Sequence, residues 1–216
     1  MTIKIPCQEN VKYLGFTIDN LLNGEAIVDS IVKKVNSRLS FLYRNCRNFN
    51  LETKKTLISA LVQCHFDYSC SSWYAGLSKK LKHKLKVTQN KVVRFLLNMA
   101  PRTSITSDIL ESVNILSVEN RVTQLRLNHV FNIVHGTAPN YLTDNFIKVS
   151  SIHNRTRFSE HNFIVPYVKS FDSGTFYCNA ITDWNRLPDK LKKITTKTTF
   201  KHEIKKHLFN SARVKL

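Results

Sequence analysis

The alternation of apolar and polar positions divides the chain into a short extended stretch, a run of helices and a mixed terminal segment. Residues 11–18, VKYLGFTI, are β-branched and aromatic and predict a strand, which Asn20 to Gly24 then break. From residue 25 to about 43 the apolar residues Ile27, Val28, Ile31, Val32, Val35, Leu39 and Leu42 recur at three- and four-residue steps. That spacing is one face of an amphipathic helix, with Lys33, Lys34, Ser37 and Arg38 opposite. Asn50 suits the cap of a second helix from Leu51, with Leu57, Ile58 and Leu61 inward, and the pattern loosens at residues 65–70. A third helix starts at Ser78 and runs to about Asn98, with Pro101 as its stop. Leu77, Leu81, Leu85, Val92, Phe95 and Leu96 fall on one narrow stripe of it.

A short helix over residues 108–113 follows, then a long one capped by Ser117 and stopped by Gly136, with Val122, Leu125, Val130 and Ile133 facing in. Pro139 opens a further helical turn through Tyr141 and Leu142. After about residue 148 the character changes. Residues 150–162 are polar and read as a loop. Residues 162–168, NFIVPYV, read as an edge strand because Pro166 cannot donate within a central ladder. Residues 171–174 turn the chain, and residues 175–188 suggest a strand passing into a helix. The last helix, from about Thr199, carries Phe200, Ile204 and Leu208 on one side. There is no internal repeat.

Composition supports a folded, mainly helical protein: 216 residues, 42% hydrophobic, thirteen Phe, and only five Gly and five Pro to make tight turns. Charge changes the picture more. Thirty-three Lys and Arg against fifteen Asp and Glu leave +18, a self-repulsion that a polyanion relieves, and nucleic acid is the commonest intracellular one. No apolar run approaches the ~18 residues that span a bilayer, so a membrane is not expected as a partner. The first ten residues hold no apolar signal core. Five cysteines, an odd number without a Cys-x-x-Cys, suit reduced thiols. An intracellular location, nucleus or cytoplasm, is therefore expected. Asn154-Arg155-Thr156, formally a glycosylation signal, is read as chance.

Candidate chemistry is sparse. A polymerase holds two divalent ions with closely placed acids, and this chain contains no Asp-Asp; Asp67 stands alone and reads as a helix-terminal residue. His202 and His207 are five apart, roughly 140° around a helix, and cannot share a metal facially. Cys64, His65 and Cys70 lack knuckle spacing, and there is neither a nucleophile elbow nor a glycine-rich phosphate loop. No catalytic residue, metal or cofactor is expected. The basic residues are another matter. Between Asp67 and Asp108 there is no acid, while Lys79, Lys80, Lys82, Lys84, Lys86, Lys91, Arg94 and Arg102 all fall there. On the third helix they cover most of the arc left by the Leu stripe. Solvated faces usually mix signs, so this one predicts contact with phosphates. The stretch from Arg186 onward, with Lys190, Lys192, Lys193, Lys197, Lys201, Lys205, Lys206, Arg213 and Lys215 against Asp189 and Glu203, stays open between contact and solvated surface.

Four segments, in order, resemble the C-terminal part of LINE-type (jockey- and CR1-like) non-LTR retrotransposon reverse transcriptases. They are Val11-Lys12-Tyr13-Leu14-Gly15 with Ile18-Asp19; Leu61-Val62 with His65-Phe66-Asp67-Tyr68 and Trp73; Gln89-Asn90-Lys91 with Arg94; and Trp184-Asn185-Arg186-Leu187-Pro188 with Phe200-Lys201 and Leu208. His135-Gly136, Ala138-Pro139 and Tyr141-Leu142 are similar to the family's linker before its terminal module. The family usually carries Pro where this chain has Cys64. The resemblance implies a primer-grip-like segment at Tyr13, Leu14 and Gly15. It also implies a thumb-like bundle whose basic helix adds Asn90 to the phosphate-facing set, and a catalytic palm that would lie upstream of Met1.

The expected architecture is thus mainly α, a thumb-like helical bundle with a short N-terminal strand segment and a small α/β-hairpin C-terminal module. Its parts are a palm or primer-grip remnant (1–23), the bundle (24–100), a helical extension (101–148) and the C-terminal module (149–216). The expected function is binding of template–primer nucleic acid as a fragment of an RNA-directed DNA polymerase of a transposable element, without activity of its own. RNA, DNA or an RNA–DNA hybrid is the expected partner, with a separate palm domain or a retrotransposon ribonucleoprotein as further ones. The alternative is a protein-interaction module in which Phe171, Phe176, Tyr177 and Trp184 dock on another chain.

Overall fold

The computed structural model describes residues 8–152, 161–167 and 175–213. It is mainly helical and divides into two compact units, one of Met1–Tyr68 and Gly76–Ile105, the other of Ser69–Ala75 and Thr106–Leu216. Among the described residues no helix is long and apolar enough to cross a membrane.

The first unit opens with a hairpin. Strands β1 (Asn10–Tyr13) and β2 (Phe16–Asp19) pair antiparallel, Asn10 opposite Asp19 and Tyr13 opposite Phe16. The single strand expected over 11–18 is therefore folded in two at Leu14-Gly15. Both turn residues have positive φ, 45° and 89°, which matches the twist of a two-residue hairpin loop. Only Gly15 signals that turn in the sequence, since Leu is an uncommon choice for the left-handed region.

Helix α1 (Glu25–Asn45) is started from the preceding loop. The Asp19 carboxylate accepts from the Asn23 and Gly24 amides at 2.9 and 3.0 Å, and the Asn23 side chain accepts from Glu25 at 2.7 Å. These bonds satisfy donors that a helix N-terminus leaves without partners. Ile27, Val28, Ile31, Val35, Leu39 and Leu42 are buried as the periodicity requires, and Val32 is half-buried.

Helix α2 (Leu51–Ile58) is capped by Asn50, whose side chain accepts from Thr53 at 2.8 Å. It continues through a π turn at Ser59–Gln63 into α3 (Cys64–Asp67). The buried positions are Lys54, Ile58, Val62 and Phe66, while Leu57 and Leu61, expected inward, are half-buried. The physical reason is the π turn. It holds more residues per turn than an α turn, so the four-residue steps 58, 62 and 66 stay in line where an α-helix would rotate them away. Cys64 keeps its backbone donor and the helix runs through it; the break comes at Ser69, with φ 52°.

Helix α5 (Lys79–Leu96) is capped by the Ser78 hydroxyl, which accepts from Leu81 at 3.4 Å. Leu77, Leu81, Leu85, Val92, Phe95 and Leu96 are buried, and so are Thr88, Gln89 and Val93, which widens the expected stripe. α5 packs on α1 and α2. Asn98, not Pro101, ends it. Asn98 sits at φ 51°, its amide donates to Phe95 O and the Met99 amide to Arg94 O, a Schellman closure with asparagine in the left-handed position.

In the second unit, α4 (Cys70–Trp73), α6 (Ser107–Ser112), α7 (Val118–Val134), α8 (Phe176–Asn185), α9 (Asp189–Lys192) and α10 (Lys197–Arg213) are joined in part by 3-10 turns at Asn140–Leu142 and Val149–Ser151. α6 and α7 close as α5 does, with Asn114 (φ 60°) and Gly136 (φ 66°) in the left-handed position. α7 packs against α4, α8 and α10, so its buried set includes Val118, Gln124, Arg126, Leu127 and Phe131 besides Val122, Val130 and Ile133. Leu125, expected inward, is half-buried.

Residues 175–188 contain no strand: Phe176 already begins α8. Of the expected edge strand the described part forms one antiparallel bridge, Lys148 to Phe163. The loop at 153–160, Val168 and the turn at 171–174 lie outside the described residues. Trp184 lies at the centre of this unit, 1% exposed and tilted against Phe200 and Phe163, and its indole N–H donates to His161 O at 2.9 Å. Leu187 joins the same core.

Candidate nucleic-acid interface

Helix α5 sorts its basic residues into an outward face and two flanks. Lys79, Lys86 and Asn90 lie within a narrow arc opposite the buried Leu residues, with His83 among them. Lys79, Lys80, His83, Lys84, Lys86 and Lys91 are exposed; Lys82, Asn90 and Arg94 are half-buried. The flank toward α1 is tied down. Lys84 forms an ion pair with Asp29 at 2.5 Å, and Lys91 donates to Asn36 Oδ1 at 3.2 Å. Lys84 and Lys91 thus meet α1 before they can meet a ligand, a restriction invisible along the helix itself. Lys79, Lys80 and Lys86 form no ion pair among the described residues.

The positive field extends to α1. Lys33, Lys34 and Arg38 are exposed, and partial burial together with Lys34 and Arg38 pushes the His65 imidazole below its usual range. By sequence the first unit holds seventeen Lys and Arg against six Asp and Glu.

At the C-terminal end of α5 a cavity of about 770 Å³ opens between α1, α5 and the turn at 99–102. Arg47, Lys91, Arg94 and Arg102 line it together with Tyr43, Asn98 and Met99, and no carboxylate does. Arg94 is fixed by a bond from Nε to Thr103 O at 2.9 Å. Asn98 is fixed from below by Lys54, only 1% exposed, whose ammonium donates to Asn98 Oδ1 at 2.7 Å and lies 5.2 Å over the Phe95 ring. Sequence reading missed Tyr43, Arg47 and the supporting Lys54. Tyr43 sits on the exposed side of α1 and Arg47 in the turn just after that helix, and a Lys on α2 gives no sign of burial.

Tyr13, Leu14 and Gly15 are exposed at the hairpin tip, and the Tyr68 hydroxyl donates to Leu14 O, so the first two sequence segments meet in space. Asp67 is the last residue of α3, where Gln63 Nε2 donates to it at 2.9 Å. The basic C-terminal stretch is partly consumed internally. Lys192, 5% exposed, donates to Asn162 Oδ1, Asn185 O and Asp189, and Lys205 donates to Asn114 O. Of the aromatic residues expected to dock on a partner, Trp184 is in the core, Phe176 and Tyr177 are half-buried against it, and Phe171 lies outside the described residues.

No family model, curated protein or solved structure matches this chain.

Proposed function

We propose that this chain binds nucleic acid through the sugar–phosphate backbone, without reading sequence and without catalysis of its own, as the thumb-like and terminal part of a LINE-type reverse transcriptase. One observation carries the binding: α5 presents an exposed face of cations, with no acid among them, on which Lys79, Lys80 and Lys86 lack ion pairs among the described residues. Such a face costs self-repulsion that bound phosphates remove. From Lys79 to Arg94 it spans roughly 22 Å at 1.5 Å per residue, enough to follow several phosphates of a duplex. Phosphate contacts fix position and carry no sequence information.

The experiment is fluorescence anisotropy with a blunt RNA–DNA hybrid over a salt series. Log affinity falls linearly with log salt, and replacing Lys79, Lys80 and Lys86 by Gln shrinks the slope by about two to three units. Unrelated hybrid sequences bind equally. A slope indifferent to the triple substitution would reduce the face to a solvated surface.

A second reading, a protein-interaction module, is favoured by the exposed apolar residues around the hairpin: Val11, Tyr13, Leu14, Leu21 and Leu22. Association that depends on protein concentration and ignores salt would move it ahead.

A further inference from the structure

The groove at the end of α5 has a composition that duplex binding does not use. It is walled by three arginines and a lysine, with an aromatic ring and side-chain amides between them. Its volume of about 770 Å³ lies inside the roughly 300–1,000 Å³ typical of small-ligand sites, far too small for a duplex. A guanidinium matches a phosphate with paired donors, and a ring with neighbouring amides suits the flat face and polar edge of a base.

The walls are held in place. Arg94 is anchored to Thr103 O, and the Tyr43 ring meets Phe95 nearly perpendicular at 5.0 Å between centroids. Asn98 is seated on the buried Lys54 ammonium. Arg102 is held at φ 74°, a conformation unfavourable for a residue with a Cβ, and lines the groove from there. Partial burial raises the Tyr43 hydroxyl while Arg94 and Arg47 pull it down, so it stays a neutral donor at physiological pH.

We infer that this groove takes one unpaired nucleotide of a bound strand, its phosphate held by Arg47, Arg94 and Arg102 and its base set against Tyr43. The inference rests on the reading of α5 as a phosphate-binding face and says where a strand leaving the duplex goes.

The test compares a blunt RNA–DNA hybrid with hybrids carrying a four-nucleotide single-stranded extension on either strand. The proteins are the wild-type chain, Arg47→Gln/Arg102→Gln, Tyr43→Leu and Tyr43→Phe, all altered outside the outward face of α5. Wild type binds one of the extended hybrids about tenfold tighter than the blunt one, as stacking of one base allows. Its salt slope there is steeper by about 0.7 per added phosphate contact. The double variant and Tyr43→Leu lose that advantage and keep the blunt affinity, while Tyr43→Phe, which retains the ring, keeps most of it. No gain from an extension in wild type overturns the inference alone, whereas no binding of the blunt hybrid overturns the parent reading. Equal loss on blunt and extended hybrids in the double variant makes the arginines general counter-charges and overturns it too. Adenosine monophosphate competes for the advantage only weakly; equal potency to the extended strand, or equal competition by polyglutamate, would assign the groove to a free nucleotide or an acidic peptide instead.

Discussion

At Gly24 two constraints coincide. Its φ of 75° belongs to the left-handed region, and a Cβ there would stand 2.5 Å from Leu77 Cδ2. The left-handed conformation alone costs an L-residue about 1–2 kcal/mol, and Leu77, 5% exposed, must move to admit the methyl. Gly24→Ala is therefore expected to destabilise the first unit by at least that amount in urea denaturation. An unchanged midpoint would show that the start of α1 and Leu77 relax at no cost. The two asparagines that close α5 and α6 make a related point: Asn tolerates the left-handed position better than other residues with a Cβ, and Asn98 and Asn114 serve where Gly136 serves α7. In the sequence, Gly136 was legible as a helix end. The asparagines were not, because the same residue type also caps helix starts, as Asn50 does.

Among elements, the long helices were legible because each buries a stripe at three- and four-residue steps, and α1, α5, α7 and α10 carry those stripes where the pattern put them, except that Val32 and Leu125 are half-buried. What failed involved local geometry that periodicity does not encode: the π turn that keeps Ile58, Val62 and Phe66 in line, the fold of 11–18 into a hairpin, and the helical state of Thr175's successors. The polar link between α7 and α8 was equally hidden. Arg126 and Asp183 form an ion pair at 2.6 Å with side chains 8% and 16% exposed, separated by fifty-seven positions in sequence. Burial dominates at Asp183. Its carboxyl is pushed above the usual range even though Arg126 draws it down. Because the folded chain then holds that proton more readily than the unfolded one, this group's contribution to stability declines as pH rises from the ordinary Asp range through the raised value. Asp183→Ala strands a buried guanidinium and is expected to cost about 3–5 kcal/mol. The double variant Arg126→Met/Asp183→Leu removes both desolvation costs and recovers most of that loss. Thermal unfolding of the three proteins decides it: a double variant no more stable than the single one would mean that the pair itself, rather than the absence of a stranded charge, holds α7 to α8.

Over the whole molecule, net charge and its distribution make different predictions. The chain carries +18, and both units contribute to it. If nucleic acid were attracted by net charge alone, removing three positive charges anywhere would weaken binding alike. If α5 forms the contact, position decides. The comparison uses two triple variants of equal charge: Lys79, Lys80 and Lys86 to Gln in the first unit, and Lys190, Lys193 and Lys197 to Gln in the second, all six exposed. Lys192 and Lys205 are left alone because they hold internal bonds. Gln is nearly as good a helix former as Lys, so the helices themselves are preserved. The first variant is expected to lose about two to three units of salt slope and the corresponding affinity at low salt. The second changes the slope by less than about one unit, since only a charge that meets a phosphate releases a counterion. Equal effects would make the interaction diffuse attraction between a basic protein and a polyanion, and a larger effect from the second variant would move the interface to the terminal helices.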